Sequence, residues 1–196
     1  RYASALGYVI NLISTVQCND EGISARVHPA LLPNHDPLAR VDGVLNAVAV
    51  EGDLLGRAIF EGEGAGANPT TSAVVADLLD IIYGLAGGNH YRPSWSVDRS
   101  SNLKPISEHY TRYYLRILVQ DQPGTLADLG QLFANYSISI ASLLQVEADA
   151  DAGTAEIVIT THEAFEADID RFLVAIQGAE FVRQFGVRIR MESASI

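Results

Sequence analysis

Hydrophobic positions change their period along this chain, and the changes mark its elements. Tyr8–Val16 is β-branched and apolar, and Ile23–Leu32 follows it after the turn signal Asn19-Asp20-Glu21-Gly22. Val44–Val50 and Leu55–Phe60 flank Glu51-Gly52-Asp53 as a tight hairpin would. The period then lengthens. Val74, Leu78, Ile81, Ile82 and Leu85 recur at helical spacing, with Asn68 placed to cap that helix and Pro69 suited to its first turn. From residue 87 to 111 the chain turns polar and irregular, with glycine, proline, serine and asparagine, and reads as a linker.

Beyond the linker the order becomes β-α-β-β-α-β. Leu115, Ile117 and Val119 alternate along a strand, and Leu126, Leu129 and Phe133 space a helix. Ile138–Val146 and Ala155–Thr161 are strands joined by the acidic turn Glu147–Gly153. Phe165, Ile169, Phe172, Leu173 and Ile176 stripe a second helix, and Phe181–Met191 closes the unit. That order is a ferredoxin-like sandwich. In it Ile138, Ile140, Leu144 and Val146 are expected to face the core, with Leu143 and Gln145 on the opposite face and Leu143 free to pair with a partner. The chain thus divides into residues 1–86, a linker 87–111, and residues 112–196. Arg1–Leu6 reads as the end of a helix stopped by Gly7, so the first part is expected to be the end of a larger domain.

Composition narrows the function. The 196 residues carry 24 acidic and 13 basic side chains, a net charge of −11, which argues against a nucleic-acid surface. No apolar run reads as long enough for a membrane, and no signal peptide opens the chain. The lone Cys18 fits a reducing cytoplasm. Cys and His are too sparse for a structural zinc site, so no metal is expected.

The sharpest motif is Glu61-Gly62-Glu63-Gly64-Ala65-Gly66-Ala67-Asn68-Pro69-Thr70, with glycines at alternate positions between a strand and a helix. Glycine permits close backbone approach, and a helix start offers N–H groups to an anion or a cofactor amide. The spacing is not the dinucleotide fingerprint. On the pattern alone a tight turn feeding a helix is the stronger reading.

Four blocks carry a resemblance. Arg26-Val27-His28-Pro29-Ala30-Leu31-Leu32-Pro33, then Val41-Asp42-Gly43-Val44-Leu45-Asn46-Ala47-Val48 with Val50-Glu51-Gly52-Asp53, then Gly64-Ala65-Gly66 and Pro69-Thr70 with Ser72–Leu78, resemble in order the end of the substrate domain of homoserine dehydrogenases. The resemblance implies interconversion of L-homoserine and L-aspartate 4-semialdehyde with NAD or NADP, in threonine, methionine and isoleucine synthesis. It implies an α+β fold, here a partial mixed-sheet substrate domain. It places Gly64, Ala65 and Gly66 near the nicotinamide end of the cofactor, with Asn68 and Thr70 behind them. The catalytic lysine and carboxylates of the family lie upstream of the matching blocks, and the only lysine here is Lys104 in the linker. No catalytic residue is therefore expected in this chain, and alone it should be inactive.

Gln120-Asp121-Gln122-Pro123-Gly124-Thr125-Leu126 resembles the D-x-P-G-x-L turn of ACT domains, small modules that bind amino acids or dimerise. The resemblance covers residues 112–191. It implies an effector site at Asp121 and Gly124, completed by Ser139 and Gln145 from a neighbouring copy, with threonine the natural effector and a homodimer the natural assembly. A capped turn without ligand remains the other reading. His28, flanked by Pro29, suggests a structural hydrogen bond. His35, His90, His109 and His162 read as surface residues, and Asp77 as structural or interdomain. The competing function is an amino-acid-binding ACT module of some other biosynthetic enzyme.

Overall fold

The structure, a computed structural model, describes residues 2–87, 102–149 and 151–192. His90 and most of the polar stretch from 87 to 111 lie outside these. The elements are α1 (Tyr2–Ala5), β1 (Tyr8–Asn19), β2 (Gly22–Pro33), β3 (Leu45–Gly52), β4 (Gly56–Glu63), α2 (Ala67–Ala86), β5 (Tyr110–Gln120), α3 (Thr125–Asn135), β6 (Ile140–Asp149), β7 (Thr154–Thr161), β8 (Ala164–Phe165), α4 (Glu166–Gln177) and β9 (Val182–Met191). Short 3-10 turns cover Pro37–Arg40 and Ile106–Glu108.

The βαββαβ order from β5 to β9 folds as its alternation dictates, with antiparallel neighbours in the order β9-β5-β7-β6. Odd-numbered β5 residues Tyr113, Leu115, Ile117 and Val119 point to the helices, where they meet Leu129 and Phe133 of α3 and Ile169, Phe172 and Ile176 of α4. The Phe133 and Phe172 rings lie 4.3 Å apart. Each such fully buried side chain contributes roughly 1.5–3 kcal/mol. Even-numbered Tyr114 points the other way, with Val158, Leu31 and Met191, beneath Tyr2, Leu6 and Tyr8.

The sheet does not stop at β9. β2 pairs in parallel with β9, Ala30 against Arg190 and Leu31 against Met191, and β1 continues the sheet antiparallel to β2. The chain therefore divides into one compact unit built from residues 1–35 and 102–195 and another from 36–101, a division unlike that at 86 and 111. Composition marks polar stretches, whereas hydrogen bonds gather the sheet. Part of the expected linker is ordered by the same means. Ile23 donates to Asn102 O at 2.8 Å and Lys104 donates back to Ile23 O at 2.9 Å. Gly22, at φ +143°, makes this approach possible, since a Cβ there would sit 2.4 Å from Asn102 O.

Two expectations of side-chain placement are corrected. A β-bulge in β6 lets Ile140 oppose Thr161 but Ser142 oppose Thr160, skipping Ala141. Leu143 then faces Ile159 on the helix side and Leu144 faces Val158 on the other, the reverse of simple alternation. Ile138 and Ile140 do join the helix-side core. The side chain of Val146 lies outside the described residues. Second, Asn68 does not cap α2. Gly66 holds the cap position, and Asn68 and Pro69 already belong to the first turn.

In the second unit β3 and β4 form the expected hairpin and α2 follows. At 20 residues and a mean hydropathy of 1.2, α2 is long and apolar enough to cross a membrane, contrary to the reading of the sequence. Asp77 and Asp80 sit in its middle, where a bilayer would charge about 2.5–3.5 kcal/mol for each acid.

Candidate functional site

The glycine turn sits between β4 and α2. Gly64 N–H donates to Val44 O at 3.0 Å. A Cβ on Gly64 would lie 1.7 Å from Asn46 Nδ2, the end of an exposed side chain that would have to turn away. Gly66 has φ +129° and ψ 163°, a conformation closed to other residues, and its carbonyl accepts from Thr70 N–H at 3.3 Å. The N–H groups of Ala67 and Asn68 precede that first bond and have no carbonyl four residues back within the helix. Gly64, Ala65, Gly66, Asn68 and Thr70 are all exposed. The turn thus presents a glycine-lined backbone and donors at a 20-residue helix start, suited to a polar group on a ligand.

The Asp121–Leu126 turn is the second candidate. Gly124, in the left-handed region at φ +99°, caps α3, and its carbonyl accepts from Asp128 N–H at 3.0 Å. Asp121 is exposed and its N–H donates to Gly153 O at 2.9 Å. Ser139 and Gln145 are exposed as well. One chain does not gather these four residues. β6 begins beside Thr161, which follows the Tyr114–Thr160 pair, whereas Asp121 follows Gln120, which pairs with Thr154. Ser139 and Asp121 therefore lie at opposite ends of the sheet, roughly 20 Å apart along the strands.

A third cluster was not foreseen. Glu166, 2% exposed at the start of α4, accepts from Tyr113 Oη at 2.7 Å and from Arg190 Nε at 2.9 Å, with Arg188 Nη1 3.1 Å away. Burial alone would raise its pKa, but the Arg190 and Tyr113 hydrogen bonds overrule burial and lower it. Burial and the Glu166 bond push the Tyr113 phenol upward. Beside them His28 is buried, with Nε2 3.3 Å from Glu192 Oε1 but out of line for a hydrogen bond. Burial, then Arg190, lowers the His28 pKa. His109 is half-buried rather than on the surface, and burial, then Arg26 and Arg190, lowers its pKa to about 4. His35 and His162 are exposed as expected. Asp36 was missed too. It is 2% exposed, accepts from Leu38 N–H at 2.8 Å and pairs with Arg57 at 3.1 Å. The Asp36-Pro37 dipeptide was the available signal, an acid placed to cap a turn that proline opens. Among the described residues no group of three His, Cys, Asp or Glu side chains could hold a metal.

Comparison with known proteins decides the family. Residues 1–79 match the homoserine dehydrogenase family model, and residues 113–180 match the ACT domain model. A homoserine dehydrogenase of Neisseria gonorrhoeae is 40% identical over 98% of this chain, and one of Pseudomonas aeruginosa is 37% identical over 97%. The first part of the chain is homoserine dehydrogenase domain. The chain carries an ACT domain after the dehydrogenase part. The solved homoserine dehydrogenase of Thiobacillus denitrificans superposes with a TM-score of 0.87 at 36% identity over all of this chain, and that of S. aureus at pH 7.0 with 0.60 at 25%. This chain spans 45% of the Neisseria and Pseudomonas proteins and of the Thiobacillus structure. The glycine turn lies inside the dehydrogenase match and the Asp121 turn inside the ACT match.

Proposed function

We propose that this chain works as part of a cytoplasmic, NAD- or NADP-dependent homoserine dehydrogenase that interconverts L-homoserine and L-aspartate 4-semialdehyde, and that its ACT domain senses an amino acid, with threonine the favoured effector. The carrying observation is the Gly64-Ala65-Gly66 turn. Its strained Gly66 and its bare helix start fall within the stretch that matches the dehydrogenase family. A nicotinamide carboxamide or ribose hydroxyl can bond such a turn, and the absence of side chains lets the ring approach. The cofactor's role when bound is hydride transfer. The residues of this chain orient it.

Two features support a larger working assembly. Among the described residues α2 buries no side chain, although Val74, Val75, Leu78, Leu79, Ile81 and Ile82 are apolar, and the rest of a dehydrogenase fold would cover them. Ser139 lies at the opposite end of the sheet from Asp121 and Gly124, with Gln145 between, so a site shared by all four needs a second ACT domain, as a homodimer would supply.

The purified chain should not reduce NAD or NADP in the presence of homoserine, since its only lysine is Lys104, which bridges to Glu21 at 2.5 Å. In the whole enzyme Gly66→Val should lower kcat/KM for the cofactor by more than it lowers Tm. Homoserine-dependent turnover by the chain alone that survives Lys104→Ala, or unaltered kinetics in Gly66→Val, would contradict this function.

A further inference from the structure

A cavity of about 430 Å³ opens between the tip of the β1–β2 hairpin and the Lys104–Tyr110 segment. At its base lies Arg26, 7% exposed. Its guanidinium donates from Nη1 to Ser24 Oγ at 3.1 Å and from Nη2 to Gln17 Oε1 at 3.2 Å, both neutral acceptors. Its Nε is buried and has no acceptor among the described residues. No carboxylate among them comes within 4.0 Å of it. A guanidinium has five N–H donors, and a buried cation short of an anion is costly. Arg190 shows the contrast, since it is held by both Glu166 oxygens. Burial, ahead of every neighbour, lowers the Arg26 pKa from its ordinary value.

We propose that this cavity binds a small organic monocarboxylate, amino acids included, through Arg26. The volume suits a small ligand. A carboxylate offers two coplanar acceptors to the N–H groups of Nη1 and Nη2 that Ser24 and Gln17 leave unpaired. Ile106 and the packed Tyr110 and Phe165 rings, 4.8 Å apart, supply an apolar wall. Glu21 and Glu108 also line the cavity, which favours a single negative charge over a phosphate and offers acceptors to an ammonium. The site does not depend on the effector reading of Asp121. β5 runs from Tyr110 at this cavity to Gln120 at that turn, about 30 Å away.

The test is an amide-shift titration of the ¹⁵N-labelled full chain with sodium propionate, glycine and inorganic phosphate. Saturable shifts with propionate or glycine are expected at Ser24–Arg26 and Lys104–Tyr110. Arg26→Gln should weaken them about tenfold or more, and Asp121→Ala should leave them unchanged. The wild-type map stands alone if Arg26→Gln does not fold. Shifts confined to Asp121–Leu126, tighter binding of phosphate, undiminished binding by a folded Arg26→Gln, or no saturable shift at tens of millimolar would each overturn the proposal.

Discussion

Leu31 of β2 lies beside Met191 of β9 in a parallel pairing, and Leu31 O accepts from Glu192 N–H at 3.0 Å. Through this seam a hairpin from the homoserine dehydrogenase match adds two strands to the sheet of the ACT domain. Both side chains are at most 2% exposed and share a core with Tyr114 and Val158. Leu31→Ala should therefore destabilise the unit by about 2–5 kcal/mol in urea denaturation, the range for a buried leucine. A cost within about 0.5 kcal/mol, as at the surface, would mean that the hairpin merely rests on the ACT sheet.

Stability should fall on mild acidification because of His109. Its pKa is lowered from 6.5 to about 4, by burial first and then by Arg26 and Arg190. The unfolded chain takes up this proton near 6.5 and the folded chain only near 4. The contribution is thus complete above 6.5 and is lost as pH falls toward 4. His28, lowered in the same direction, adds to the slope. Glu166 adds a separate loss below its ordinary 4.5, because a lowered carboxylate stabilises only while ionised. His109→Asn should flatten the curve between pH 6.5 and 4 and leave the steeper region below it. Denaturation midpoints across that range give the answer, and an unchanged slope would move the titration elsewhere.

Gly64→Ala tests whether the glycine turn is built by packing. The new Cβ would meet Asn46 Nδ2 at 1.7 Å, so Asn46 must move. Because Asn46 is exposed and its amide can turn away, a loss of about 0.5 kcal/mol is expected, and Asn46→Ala in the same chain should remove it. Additive losses in the double mutant would show that backbone conformation, not Asn46, demands glycine.

The sequence made the elements legible because their periods are clean. The alternation of Leu115, Ile117 and Val119 and the helical stripe of Ile169, Phe172 and Ile176 each report one buried face. It could not show the bulge at Ala141, since one skipped residue leaves no trace in composition yet exchanges the faces of Leu143 and Leu144. Nor could it show the β2–β9 pairing, which joins residues some 160 positions apart through backbone groups that every residue carries. The two turns were visible through their glycines. The cluster of Arg26, His28, His109, Glu166 and Arg190 was not, because ordinary charged residues from distant segments meet only in the fold.

Self-association should run through the ACT half. β6 is an edge strand, with Leu143 39% and Leu144 41% exposed, and exposed apolar side chains beside unpaired backbone favour a second copy. Sedimentation of the chain at micromolar concentration should give a dimer, and Leu143→Glu should weaken it about tenfold or more. A strictly monomeric wild-type chain would leave the edge to some other cover.

Calorimetric titration of threonine into the chain and into Asp121→Ala tests the regulatory reading most directly. Thr125 N–H is taken by Gln122 O, but the N–H groups of Leu126 and Ala127 have no carbonyl four residues back within the helix and can receive the amino acid's carboxylate, and exposed Asp121 can accept from its ammonium. Threonine should bind the wild-type chain, and Asp121→Ala should lose about 1.5–3 kcal/mol of affinity. Equal affinity in both proteins would move the site away from this turn, and no heat with threonine, methionine, lysine or isoleucine would contradict an effector role for the ACT domain.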